Sequence, residues 1–130
     1  MKRLSSDVQV VVYIHATPSF YGYLSEVEQV LMNLALNGIQ AMRYKGTLYL
    51  EVDQNENMAI VRVKDEGSGI SAELKEKIFE PLFTTKGEQG GSGVGLDTVA
   101  KIVQRSNGQI TFDTEIGVGT CFEVRWAIVV

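Results

Sequence analysis

Hydrophobic positions along this chain change period several times, and each change marks an element. Residues 7–15 (DVQVVVYIH) are dense in β-branched side chains and predict a strand ending before Thr17-Pro18. From residue 24 to 43 the apolar positions recur three and four apart, with Val27, Val30, Leu31, Leu34, Gly38, Ala41 and Met42 on one stripe. That stripe predicts an amphipathic helix, with Ser25 as its candidate N-cap. Alternation returns at Leu48, Leu50 and Val52 and again at Ala59, Val61 and Val63. The polar run Asp53-Gln54-Asn55-Glu56-Asn57 between them predicts a hairpin.

Ser71 to Glu80 has helical composition, with Leu74 and Ile78 following Ser71, and Pro81 is expected to end it. Residues 82–93 show no period. A further helix from about Val94 is expected to turn Leu96, Val99, Ala100 and Val103 inward and to stop at Asn107-Gly108. Two final alternating runs, Ile110/Phe112/Thr114 and Phe122/Val124/Trp126, are separated by Gly117 and Gly119. The order β-α-β-β-α-α-β-β, with hairpins in place of regular crossovers, predicts an α+β fold. Its form is a two-layer α/β sandwich, a mostly antiparallel mixed sheet of about five strands with three helices on one face.

Composition narrows the picture further. At 130 residues and 45% hydrophobic content the chain has room for one core, so residues 1–130 are expected to form a single domain. A net charge of −4 argues against a broad nucleic-acid surface, and any phosphate site must be built locally. One cysteine, Cys121, excludes an internal disulfide, and neither a CxxC nor a histidine cluster offers a zinc site. No apolar run reaches the roughly 18 residues a membrane span needs, so this segment is expected to make no direct membrane contact and to sit in the cytoplasm.

Four pieces carry chemistry. Asn33 and Asn37 lie four apart, which puts both amides on one helix flank; an amide oxygen is a neutral, hard ligand for Mg²⁺, although a polar flank needs no function. Asp65 ends a strand and is followed by Gly67 and Gly69. A carboxylate there accepts the exocyclic amino group of adenine and repels the keto oxygen of guanine, and the glycines permit a tight turn and a close approach to a flat ligand. The plain alternative is an Asp-Gly turn.

Gly91-Ser92-Gly93-Val94-Gly95 opens a helix, so backbone N–H groups and the positive helix end can face phosphates; a flexible linker is the alternative. It is not a P-loop, and Leu96 stands where a dinucleotide fingerprint needs its third glycine. Gly117-Val118-Gly119-Thr120 reads as a hairpin turn, or as a turn whose Thr120 hydroxyl supplies a polar contact. His15 lacks the acidic neighbour and helical setting of a phosphoacceptor and reads as a strand end.

Together these pieces resemble the ATP-binding catalytic domain of sensor histidine kinases, in the superfamily shared with gyrase, the Hsp90-type chaperones and MutL. Residues 28–37 (EQVLMNLALN) resemble the N box, 65–70 (DEGSGI) the first glycine box and 78–86 (IFEPLFTTK) the F box; 91–96 (GSGVGL) and 117–120 (GVGT) resemble the second and third glycine boxes. The resemblance implies a Bergerat-type fold, ATP and Mg²⁺ as ligands, and Asn37 as the Mg²⁺ ligand. It implies Asp65 as the adenine reader, Gly67 and Gly69 as the adenine-side turn, and Thr120 as an adenine-side contact. Residues 82–93 would be the ATP lid, with Lys86 as a phosphate partner, and Gly91, Gly93, Gly95 and Leu96 would line the nucleotide.

Hydrolytic members of the superfamily carry a glutamate where this chain has Asn33. An amide cannot take a proton from water, so Asn33 favours a catalytic role in phosphoryl transfer over hydrolysis. The implied partner is a histidine phosphoacceptor and dimerisation domain, no such domain being expected within these residues, and indirectly a response regulator. The alternatives are an ATPase module, an anti-sigma serine kinase of the same superfamily, or an interaction domain that does not bind nucleotide. Gly38 stands where the family usually has alanine, and Ala41 leaves no aromatic side chain to stack on a base.

Overall fold

A computed structural model describes residues 7–20, 22–80 and 95–128. Seven elements follow in order: β1 (Asp7–Ile14), α1 (Leu24–Ala41), β2 (Lys45–Asn55), β3 (Met58–Asp65), α2 (Leu96–Arg105), β4 (Gln109–Glu115) and β5 (Gly119–Ala127). The strands form one sheet in the order β1-β2-β3-β5-β4. β1 is parallel to β2, from Asp7 opposite Lys45 to Ile14 opposite Val52, because the chain returns through α1 before pairing. The other three pairings are antiparallel, which gives the mixed, mostly antiparallel sheet expected. The first hairpin is tighter than its polar run suggests. Asp53, Gln54 and Asn55 still pair with Ile60, Ala59 and Met58, so only Glu56 and Asn57 turn, with Glu56 at φ 54°.

Both helices pack on one face of the sheet. Val30 and Leu34 of α1, Val99 and Val103 of α2, and Leu48, Val63, Phe122, Val124 and Trp126 of the strands are buried in one core. The Trp126 ring stacks on Phe20 at 4.6 Å, and its indole N–H donates to Ser106 Oγ at 2.8 Å, so the polar end of a buried aromatic is satisfied. α2 ends as its sequence predicts: Asn107 takes φ 60° and the Gly108 N–H reaches Val103 O at 2.8 Å. Ile102 joins the inward set, while Leu96 and Ala100 are half-buried.

Two expectations need correction. Among the described residues there are two α-helices, not three, because residues 71–80 fold as consecutive turns. The N–H groups of Leu74 and Lys75 bond to Ser71 O, Lys77 to Leu74 O and Glu80 to Lys77 O. A segment this short gains little from helix propagation. Ile78 in the core and Phe79 set edge-on to Phe112 and Phe122 hold it instead. The second correction concerns the start of α1, where Tyr23 is the N-cap without a side-chain bond and Ser25 lies inside the helix. The first turn is stabilised by Glu26, which suits the positive helix end and pairs with Arg105 of α2 at 2.8 Å. Pro81 and Val94, the expected helix stop and start, lie outside the described residues.

The opposite face of the sheet carries an ion network. Arg62 bonds Glu123 at 2.8 Å and Glu51 at 3.0 Å, and His15 Nε2 lies 2.8 Å from Glu51. The acidic neighbour that His15 lacks in sequence therefore arrives across the β1–β2 pairing. The His15 hydrogen bond, opposed by burial and reinforced by Arg62, holds the Glu51 carboxyl below its ordinary range. These groups brace the strands on the far side of the sheet from the motifs.

Candidate functional site

The described parts of the motifs lie on the C-terminal half of α1, the end of β3, the β4–β5 hairpin and the start of α2. Asp65 is the last residue of β3 and only 2% exposed. A buried carboxylate needs donors, and Asp65 Oδ1 accepts the Gly67 N–H at 2.8 Å and the Thr120 N–H at 3.3 Å. Those bonds fix the orientation of the carboxylate. Thr120 stands opposite Asp65 in the β3–β5 register, is 5% exposed, and has its hydroxyl 2.8 Å from that of Thr114.

The glycines around Asp65 are required by packing. A Cβ on Gly67 would stand 2.8 Å from both Cβ and O of Ala41, so this turn presses on the end of α1. Gly69 has φ 84°, and its Cβ would meet Glu115 O at 2.5 Å. Gly119 has φ 146°, and its Cβ would meet Asp65 O at 2.1 Å. These glycines allow close approaches of backbone to helix and of backbone to hairpin. Two bonds dock the 66–70 turn onto the hairpin: Gly117 N–H to Ser68 O at 2.9 Å and Ile70 N–H to Thr114 Oγ1 at 2.9 Å.

α1 reaches the same spot through Gly38, whose added Cβ would lie 2.8 Å from Leu48 Cδ1 and 3.2 Å from Asp65 Cβ. Asn37, its neighbour in sequence, is half-buried. Asn33, one turn earlier, is 8% exposed and engaged at both ends of its amide. Gln29 Nε2 donates to Asn33 Oδ1 at 2.8 Å, and Asn33 Nδ2 donates to Gly95 O at 3.4 Å. Asn33 therefore ties α1 to the N-cap of α2. Gly95 itself has extended backbone and open space around a Cβ, and α2 starts with no side-chain cap bond. Its first-turn N–H groups are suited to an anion. Leu96 is half-buried against the core. Lys86, Gly91, Gly93 and the whole 82–93 segment lie outside the described residues.

Three residues at the site escaped the sequence reading. Gln29 orients Asn33, and its signal was the four-residue spacing on one helix flank. Thr114 holds the turn to the hairpin, and its signal was a polar residue at an inward position of an otherwise apolar alternation. Ser68 acts through its carbonyl, for which a side-chain pattern gives no signal.

A buried carboxylate at the end of β3, Gly38 of α1 against it and Asn33 joining α1 to the start of α2 are held within a two-layer α/β sandwich. Residues 22–129 match the model of the family described as histidine kinase-, DNA gyrase B- and HSP90-like ATPases, and the chain belongs to that family. It is 36% identical over 116 residues to the sensor kinase CckA of Brucella abortus, covering 78% of this chain and 12% of that protein. The catalytic domain of the histidine kinase ThkA in nucleotide-free form superposes with a TM-score of 0.78 at 27% identity, over 93% of this chain and 79% of that one. The histidine kinase-like fold recurs in full-length ShkA in complex with AMPPNP, at a TM-score of 0.82 and 21% identity, over 94% of this chain and 26% of that one. The chain spans between 12% and 32% of the length of the curated relatives it matches. It is a histidine-kinase-type ATP-binding catalytic domain. No helix among the described residues is long and apolar enough to cross a membrane.

Proposed function

We propose that this chain binds ATP with Mg²⁺ and transfers the γ-phosphoryl group to a histidine on a dimerisation domain, from which a response regulator would receive it. The observation that carries the reading is Asp65. It is buried at a strand end, with one oxygen held by the N–H groups of Gly67 and Thr120 and with α1 pressed against it at Gly38. Such a carboxylate accepts the adenine amino group and discriminates against a keto oxygen. Gly67 and Gly69 shape the turn beside it, and Thr120 adds a second polar contact.

Asn37, next to Gly38 and half-buried, would hold Mg²⁺, which when bound neutralises charge on the phosphates. The first turn of α2, steadied by the Asn33 bond to Gly95, would face the phosphates, with Lys86, Gly91, Gly93 and Leu96 contributing from the lid side. In the transfer itself a neutral imidazole nitrogen forms the N–P bond as the P–O bond to the β-phosphate breaks, ADP leaves, and the ring gives up its other proton. The protein's part is positioning and charge stabilisation. Asn33, an amide engaged at both ends, takes no proton from water. This segment would act in the cytoplasm, without contacting nucleic acid or membrane.

The test is incubation with γ-labelled ATP and Mg²⁺ alongside a histidine-bearing dimerisation domain of a sensor kinase. The expected product is an acid-labile phosphohistidine, and Asn37→Ala is expected to slow its formation by about 10- to 100-fold. Steady phosphate release with no labelled histidine would identify an ATPase instead.

A further inference from the structure

β1 is an edge strand, and its sequence does not protect the edge. From Asp7 to Ile14 it carries no proline, lysine or arginine, the residues that ordinarily blunt an exposed edge. Two bonds show which way its backbone groups point: the Asp7 N–H donates to Tyr44 O, just before β2, at 3.1 Å, and the His15 N–H donates to Val52 O at 2.8 Å. Successive residues of a strand turn their backbone groups to opposite edges. The odd-numbered residues therefore bond β2, and the N–H and C=O groups of Val8, Val10, Val12 and Ile14 point to the side where no described strand follows. The same four side chains share the helix-covered face. Val8 rests on the core, but Val10, Val12 and Ile14 are 53%, 54% and 64% exposed. One strand thus carries both an open backbone ladder and an uncovered apolar row.

We propose that β1 pairs antiparallel with β1 of a second copy of this chain, about a twofold axis at Val11. The strand's own sequence selects that occupant. An antiparallel ladder joins residues whose backbone groups point at each other, so even-numbered residues must meet even-numbered ones. With Val11 facing Val11, Val8 lies opposite Ile14 and Val10 opposite Val12, and each pair exchanges two backbone bonds and covers apolar surface. On the other face Asp7 lies opposite His15 at both ends of the pairing. That sets a carboxylate against an imidazole whose Nε2 is held by Glu51 and whose Nδ1 is left for the second copy. A shift of two residues in either direction separates Asp7 from His15, and a parallel pairing in register sets Asp7 against Asp7. The product is one sheet of ten strands, five from each copy, with the helices of both on the same face. The two β2 strands then stand about 14 Å apart, three strand spacings. Because α1 packs over β2 and β3, two helices about 10 Å across fit side by side on that face. This surface is apart from Asp65 and Thr120, which pair across β3 and β5, so the proposal is independent of the nucleotide reading.

Sedimentation equilibrium over a micromolar-to-millimolar series is expected to show a reversible monomer–dimer equilibrium. Val12→Pro removes an N–H that points outward and no bond to β2. Circular dichroism is therefore expected to show an intact fold, while association weakens by about tenfold or more, the worth of two symmetry-related hydrogen bonds. Cysteines placed in a Cys121→Ser background read the register. Val11→Cys brings two Cα atoms about 4.5 Å apart across the axis, within disulfide range. Two copies of Gln9→Cys lie four residues apart along the pairing, about 14 Å. Gln9 is exposed and Val11 half-buried, so random collision favours position 9. Oxidation is instead expected to link Val11→Cys at least about tenfold faster than Gln9→Cys. A wild type that stays monomeric at millimolar concentration, a dimer that the folded proline variant retains, or faster linking through position 9 would each overturn the proposal. If the proline variant does not fold, the cysteine pair decides alone.

Discussion

Asp65→Asn is expected to weaken ADP binding by about 100-fold or more while leaving a folded protein. Both halves of the expectation come from the same carboxyl group. Asparagine keeps an oxygen that can accept the Gly67 and Thr120 N–H groups, which are the bonds that hold the β3 end, the 66–70 turn and the hairpin together. What it loses is the second acceptor and the charge. An N–H₂ group turned towards the adenine amino group replaces a charge-assisted bond worth roughly 1.5–3 kcal/mol with a donor facing a donor. Together those terms amount to about 3 kcal/mol, the hundredfold loss stated. Calorimetric titration with ADP, paired with a thermal melt of the same sample, reads both halves. An unchanged affinity in a folded variant would show that Asp65 does not face the base.

Gly119→Ala is expected to be the most destabilising single methyl addition at the site. The backbone there has φ 146°, which disfavours any L side chain, and the new Cβ would stand 2.1 Å from Asp65 O. A main-chain carbonyl cannot rotate away as a side chain can, so β5 must separate from β3 at the point where Thr120 bonds Asp65. A cost of about 3 kcal/mol is expected for backbone strain combined with the lost bonds, which lowers the melting temperature of a domain this size by about 10 °C. Gly117→Ala supplies the comparison. Gly117 also has positive φ, at 80°, but open space around its Cβ, so only the conformational term of about 1 kcal/mol remains. Urea melts of both variants measure the difference, and equal destabilisation would show that the approach to Asp65 O carries no weight.

Sequence periodicity was a good guide wherever one face of an element is buried, and a poor one where a tertiary anchor decides. The alternation at Phe122/Val124/Trp126 and the stripe through Val30 and Leu34 both lie in the core, because β5 and α1 have one buried side each. Residues 71–80 have helical composition but no stripe, and there Ile78 and Phe79 determine the path while the backbone settles for turns. Ser25 failed as a cap because capping preference is local, whereas the start of α1 is also fixed by the Glu26 pair with Arg105, a residue 79 positions away in sequence. The parallel pairing of β1 is equally invisible in residues 7–15, since it depends on where the chain comes back after α1.

The candidate site divides along the same line. Asp65, Gly67, Gly69 and Thr120 could be singled out as candidates because a carboxylate, two glycines and a hydroxyl at turns carry recognisable chemistry. The residues that support these positions and Asn33 were not singled out. Gln29 and Thr114 act on a neighbour rather than on a ligand, and Gly38 matters because its missing Cβ admits Leu48 and Asp65. Gln29 and Asn33 are four apart on one helix, whereas the Thr114–Ile70 and Gly38–Asp65 approaches join segments distant in sequence that only the fold brings together.

The central claim is that the helix-covered end of the sheet around Asp65 binds an adenine nucleotide. Its most direct test is an amide-resolved NMR titration of the ¹⁵N-labelled chain with ADP and Mg²⁺. Saturable shifts are expected at Asn33 and Asn37, through residues 65–70, at Gly95 and Leu96, and at Gly119 and Thr120. Shifts confined to the opposite face, at Tyr49, Arg62 and Arg125, or no saturable shifts at all, would contradict the account.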